Sequence, residues 1–118
     1  MINILKLIVA GGREFQKYYT LEKEIMEKFD LDDLEIVSGG ARGADHMGEI
    51  FARKHGINVK VFPALWDIYG KSAGYRRNEE MANYADEAIV FWDSKSKGSK
   101  HMIQIMKNIG KKVTVVYY

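Results

Sequence analysis

Two glycine-rich turns carry the residues best suited to chemistry in this chain: Gly11-Gly12-Arg13, and Ser38-Gly39-Gly40-Ala41-Arg42-Gly43 followed by Ala44-Asp45. Glycine lets a backbone turn sharply and come close to a ligand. Ile36 and Val37 run into the second turn, and Ala44, Met47, Ile50 and Phe51 leave it at helical spacing, so the order there is strand, tight turn, helix. A helix start offers unpaired N–H groups and the positive end of its dipole, which suits an anion such as a phosphate. A nucleotide-type ligand fits this arrangement.

Each motif also has a plainer reading. Gly11-Gly12-Arg13 alone is a turn; paired with a second glycine turn on a neighbouring strand, it reads as a phosphate or ribose cradle. The second turn approximates the dinucleotide fingerprint, with Ser38 where the first glycine would stand. No acidic residue ends the next strand to hold a ribose, since Phe62 and Pro63 occupy that place, and this argues against an ordinary NAD-dependent dehydrogenase. Asp45 serves either the helix dipole or a ligand hydroxyl. Gly70-Lys71-Ser72 matches the end of a P-loop, but the glycine needed five residues earlier is Leu65.

Trp66, Tyr69 and Tyr75 crowd one long loop beside Lys71, Arg76 and Arg77. Core packing accounts for one or two aromatic residues; three beside cations make a wall on which a base can stack. Asp93-Ser94-Lys95-Ser96-Lys97-Gly98-Ser99 leads into the last helix, where Ser99 reads as an N-cap and Ser96, Gly98 and Ser99 as part of a second anion site. His46, His55 and His101 lack metal-ligand spacing and are expected on helix surfaces.

The elements that must position these residues alternate. Strands are expected at Ile2–Ala10, Leu34–Ser38, Asn58–Phe62, Ala88–Trp92 and Val113–Tyr117. Between them come a helix striped by Leu21, Ile25 and Phe29, a helix over Ala44–His55 capped by Gly56, and a helix over about Tyr75–Ala85. A fourth helix is striped by Met102, Ile105, Met106 and Ile109 and capped by Gly110; Ala64–Gly74 is expected as a loop. Alternation of this kind predicts an α/β fold, a parallel sheet with helices on both faces, in strand order 3-2-1-4-5. Ligands then bind beyond the carboxyl ends of the strands, where the order reverses. Most glycines fall in the loops after strands, among them Gly11, Gly12, Gly39, Gly40, Gly43, Gly70, Gly74 and Gly98. The same loops and helix starts hold Arg13, Arg42, Lys71, Arg76, Arg77, Lys95, Lys97 and Lys100 against Glu14, Asp45, Asp67 and Asp93, so the rim is expected to be positive.

The totals set outer limits. A length of 118 residues predicts one domain spanning the chain, and a composition 47% hydrophobic and 29% charged is ordinary for a globular protein. No apolar run approaches the ~20 residues of a membrane span. The absence of cysteine excludes disulfides and thiolate metal sites and fits a cytoplasmic setting. A net charge of +2 gives no general affinity for nucleic acid or an anionic membrane, so neither is expected as a partner.

Taken together, Gly11-Gly12-Arg13-Glu14-Phe15, Ser38 to Asp45, the stretch Trp66-x-x-Tyr69-Gly70-Lys71-x-Ala73-Gly74-x-x-Arg77-Asn78-x-x-Met81 and Ala85-Asp86 resemble the YspA-like branch of the SLOG superfamily over nearly the whole chain. That superfamily includes the DNA-processing protein DprA and the LOG phosphoribohydrolases. The resemblance implies a three-layer Rossmann-like fold binding nucleotides or ADP-ribose-like signals, oligomers in many relatives, and sensors of antiviral defence in some. The phosphoribohydrolase branch is similar at Arg77 and Met81, but its glutamate three residues after a glycine–threonine turn is Met102 here, after Gly98-Ser99. A thioether cannot act as a general base, so catalysis is not expected by that route; Asp45 and Arg77 are the candidates if catalysis occurs. The expectation is a ligand-binding module, with Gly11 to Arg13, Ser38 to Gly43 and Gly98-Ser99 on phosphates, Arg77 and Lys71 supplying charge, Asn78 or Asp45 bonding hydroxyls, and Trp66 or Tyr69 stacking a base. Such a module senses or sequesters its ligand, for example as a phage-made sponge for a defence signal, and is expected to form a homodimer or higher homo-oligomer; a nucleotide N-glycosidase and a single-stranded DNA binder are the alternatives.

Overall fold

The structure, a computed structural model, describes residues 3–118. Strands β1 (Leu5–Gly11), β2 (Leu34–Ser38), β3 (Asn58–Val61), β4 (Glu87–Trp92) and β5 (Lys112–Tyr117) form one sheet in the order β3-β2-β1-β4-β5. All four pairings are parallel. The order is the expected one, and it reverses between β1 and β4. Ile2, the expected start of the first strand, lies outside the described residues, and the strand runs on to Gly11.

Both faces of the sheet are covered, and this explains why β1 is apolar on both sides from Leu7 to Ala10. Side chains alternate across a strand, so Leu7 and Val9 join one core with Leu21 and Ile25 of α1 (Tyr18–Lys28) and Phe51 of α2 (Ala44–Lys54). Ile8 and Ala10 join the opposite core with Met81 of α4 (Ala73–Tyr84) and Met102 and Met106 of α5 (Lys97–Asn108). The layers are helix, sheet, helix: the three-layer Rossmann-like α/β fold.

Gly48, in the interior of α2, is explained by this packing. A Cβ there would lie 2.8 Å from the Cβ of Val9, so the helix reaches its place on β1 only without a side chain at that point. The intrinsic helix penalty of glycine, ~1 kcal/mol, is offset by close burial of Val9.

The segment 64–74 departs from the expected loop. Trp66–Tyr69 forms a single helical turn, α3, Gly70–Ser72 a 3-10 turn, and α4 already starts at Ala73. Gly74 and Gly98 therefore stand in the first turns of α4 and α5 rather than in loops. The helical turn escapes an apolar-stripe reading because its large residues do not face a core: Leu65, Trp66, Ile68 and Tyr69 are all exposed.

Candidate functional site

The reversal between β1 and β4 brings the first glycine turn under the end of β4: the Gly12 N–H donates to the Phe91 carbonyl at 3.1 Å. The second turn packs directly against the first. Ala44 N–H donates to the Gly12 carbonyl at 3.2 Å, and a Cβ on Gly43, whose φ is +77°, would lie 2.3 Å from that same oxygen. Only glycine combines that approach with that backbone conformation.

Above these turns opens a cleft of about 340 Å³. Gly11, Gly12, Arg13, Ala41, Asp45, Arg77, Asn78, Ser96, Gly98 and Ser99, all marked in the sequence, line it. A neighbouring hollow adds Trp66, Lys71 and Gly74, and a third adds Gly39, Gly40 and Arg42. Arg13 and Arg77 line all three. Gly12, Arg77 and Ser99 therefore share one cleft, with Gly40 in the hollow beside it.

The rim, expected to be positive on balance, has its charge unevenly placed. In the central cleft Arg13 and Arg77 face Glu14, Asp45 and Asp93, while the two flanking hollows are lined by cations and no carboxylate. The centre can take hydroxyl or amino donors on its carboxylates, and the boundary with the hollows takes anions.

Arg77 comes from the first turns of α4 and is half-buried. It donates through Nη1 to the Gly39 carbonyl and through Nε to Asn78 Oδ1 at 3.1 Å. Among the described residues no carboxylate comes within 4.0 Å of it, and burial lowers its pKa. Asn78 is spent inside the protein: its amide donates to the Gly98 carbonyl at 3.2 Å and meets His101 Nδ1 at 3.3 Å. Asn78 thus orients Arg77 and the start of α5 instead of reaching for a hydroxyl. Burial also lowers the His101 pKa, and because the Asn78 amide nitrogen can only donate, His101 Nδ1 is the acceptor of that bond.

Asp45 is 5% exposed at the start of α2. Its Oδ2 accepts from Ala41 N–H at 3.3 Å, leaving acceptor capacity over. Burial raises its pKa to about 6, against the opposing pull of Arg77 and the Ala41 N–H. Ser38 is fully buried: its hydroxyl donates to Glu49 Oε2 at 2.6 Å and accepts from Gly40 N–H at 3.1 Å, so it shapes the turn rather than offering a ligand contact.

At the other lip, Ser96 is the N-cap of α5, accepting from Ser99 N–H at 3.4 Å and from the Ser99 hydroxyl at 3.1 Å. The cap is Ser96, not Ser99. Asp93 Oδ1 accepts from the N–H groups of Lys95 and Ser96, both at 2.9 Å, and these bonds hold its pKa below the ordinary value. Arg42 pairs with Glu14 at 2.8 Å across the two turns, both side chains largely exposed. Tyr69 lies under the Arg76 guanidinium, 4.4 Å from its ring centre, and lines none of the three hollows.

Six lining residues are not among those expected to bind a ligand: Ala10, Glu14, Met81, Asp93, Met102 and Tyr118. Tyr118 matters most, because its hydroxyl covers Gly12 so closely that a Cβ there would meet it at 1.9 Å. Its ring packs edge-on against Phe15 at 4.9 Å. Its place follows from the topology, since it directly follows β5 at the carboxyl rim of a parallel sheet.

A sequence model of the YspA, cpYpsA-related SLOG family matches residues 5–69, more than half of the chain. The chain belongs to this family. The Gene 61 protein of Mycobacterium phage D29 is 30% identical to this SLOG protein over 113 residues, covering 89% of this chain and 90% of that one. The fold is similar to that of DNA processing protein A (DprA) from Streptococcus pneumoniae, with a TM-score of 0.79 and 21% identity. It is also similar to DprA from Helicobacter pylori, reported for its single-stranded DNA binding mode, with a TM-score of 0.72 and 21% identity. Both matches cover 96% of this SLOG protein but only 50% and 65% of the respective DprA chains, and at this identity they show a common fold alone. Among the described residues no helix is long and apolar enough to cross a membrane.

Proposed function

We propose that this SLOG protein binds a nucleotide-derived small molecule, of the ADP-ribose or cyclic-nucleotide kind, in the cleft at the carboxyl rim, for sensing or sequestration. The observation that carries this reading is Arg77. A half-buried guanidinium on the wall between a carboxylate-lined cleft and a cationic hollow gives its hydrogen bonds to neutral oxygens only, with the Asp45 carboxylate attracting it from beyond ion-pair distance, and so keeps N–H donors for a ligand anion. Phosphate at Arg13 and Arg77, with sugar hydroxyls on Asp45 and Asp93, answers both halves of the lining. Sequestration draws support from the phage origin of the similar Gene 61 protein.

Titration calorimetry with ADP-ribose, together with mass spectrometry of small molecules released on denaturing the purified protein, tests this. Arg77→Ala is expected to weaken binding about tenfold or more, the loss of one charge-assisted contact. A preparation that releases no nucleotide-like compound and binds none would sink the reading. Self-association belongs to the same proposal, with Leu65, Ile68 and Tyr69 as the exposed apolar surface, and light scattering tests it.

Two alternatives have an observation each. A carboxyl group held at about 6 suits acid–base work near neutral pH, which favours turnover through Asp45; free base released from AMP or NAD, and lost in Asp45→Asn, would establish it. The fold shared with a DprA reported to bind single-stranded DNA, and the run of cationic hollows past exposed Trp66, favour a DNA strand despite the small net charge. Affinity falling steeply with salt would establish that.

A further inference from the structure

The hollow beside the central cleft is about 210 Å³, below the ~300 Å³ at which sites for whole small-molecule ligands begin. It has room for one ring and little more. Yet it is not separate, because Arg13, Arg77, Asn78 and Gly98 form a wall common to both cavities. A space too small for its own ligand, joined to a larger one through two guanidinium-bearing residues, is a subsite.

Its lining says what it takes. Trp66 is 50% exposed and Tyr75 45%, both large aromatic surfaces left open to solvent at its edge. Tyr75 is held in place by the His101 ring, 4.4 Å away and edge-on. Gly74 lies between Trp66 and Arg77: a Cβ there would come 3.5 Å from Trp66 Cη2 and 4.0 Å from Arg77 Nη2. Lys71 adds a third cation, and no carboxylate lines the space. A flat ring attached to an anionic group fits, and a free sugar with nothing but hydroxyls does not.

Resting on the nucleotide-binding reading above, we propose that the Trp66–Tyr75 hollow is a second ring subsite. The ligand class is then a molecule with two cyclic ends joined through phosphate, such as a dinucleoside diphosphate or a phosphodiester-linked dinucleotide. One end lies in the central cleft over Met81 and Met102, with its hydroxyls toward Asp45 and Asp93. The phosphates cross the shared wall at Arg13 and Arg77. The other end stacks on Trp66.

Titration calorimetry of the full chain with AMP, diadenosine diphosphate, the 5′-phosphorylated adenosine dinucleotide and a thymidine octamer tests this. At least one two-ring probe is expected to bind about tenfold more tightly than AMP, ~1.4 kcal/mol, the lower range of base–aromatic stacking. Trp66→Ala is expected to bring the ratio of two-ring to AMP affinity down to about one, and Trp66→Phe to restore most of it. Equal affinity for AMP and both two-ring probes, or a ratio unmoved by Trp66→Ala, overturns the subsite while leaving the nucleotide site standing. No binding of any probe, nor of ADP-ribose in the same calorimeter, overturns both, and octamer binding tighter than either dinucleotide overturns the small-molecule class in favour of a strand.

Discussion

A side chain on Gly39 would collide with Arg77 and Asp45 at once: its Cβ would lie 2.7 Å from Arg77 Nη1 and 2.7 Å from Asp45 Oδ2. The bare Cα of the second glycine turn is therefore what lets a guanidinium from α4 and a carboxylate from α2 converge on one spot. Gly39→Ala is expected to destabilise the fold by about 1–3 kcal/mol, as overpacking does, and to weaken ADP-ribose binding as strongly as Arg77→Ala. Urea melts and calorimetry on the two variants check this; a melt unchanged from the parent would show that the two groups are not held there.

The Asp45 carboxyl is easier to protonate in the folded chain than in the unfolded one, its pKa raised from 3.8 to about 6. The folded state then holds the extra proton between those values, so stability contributed by this residue is present below pH 3.8 and lost as pH rises through 6. Asp45→Asn keeps an acceptor for Ala41 N–H and removes the buried charge. It is expected to be more stable than the parent at pH 7.5, by on the order of 1–3 kcal/mol, with the difference vanishing near pH 4. Denaturant melts at the two pH values measure it.

Gly48→Ala gains intrinsic helix propensity but drives a methyl to 2.8 Å from the Val9 Cβ. The collision is expected to win, costing about 1–3 kcal/mol. Val9→Ala in the same chain is expected to recover part of that loss. The coupling read from the double-mutant cycle should be well above 0.5 kcal/mol; additive effects would mean that α2 does not sit on β1 as described.

The cap and the ligand role of Ser96 can be pulled apart. Ser96→Ala is expected to cost about 1 kcal/mol through loss of the N-cap, and Ser96→Asp to keep that stability because aspartate caps equally well. Placed beside Asp93 at the lip of the cleft, however, the new carboxylate is expected to repel a phosphorylated ligand. A thermal melt with parallel calorimetry separates the two effects; Ser96→Asp binding as tightly as the parent would put the phosphates elsewhere.

The fold was legible in the sequence because its strongest signals are periodic and local. Leu7 through Ala10 read as a strand apolar on both sides because both sides are covered, and α/β alternation left few strand orders open. The glycine turns and Arg77 were legible as residue types. What the sequence hid depends on long-range packing. Ser38 and Asn78 look like ligand donors until Glu49, Gly98 and His101 are seen to occupy them. Tyr118 lies 106 positions from Gly12 in the chain, and only the sheet brings them together. The helical turn Trp66–Tyr69 left no stripe because nothing buries it.

The carbonyl of Gly12 accepts from Phe15 N–H within its own turn and from Ala44 N–H of the next. Two loops separated by some thirty residues are fastened at a single oxygen, so neither is free to sway alone. The glycine-turn side of the rim is thus braced before a guest arrives, and little ordering of these two turns remains to be done on capture. Complex formation should then proceed as a lock accepts a key, with tightness set by how slowly the guest leaves.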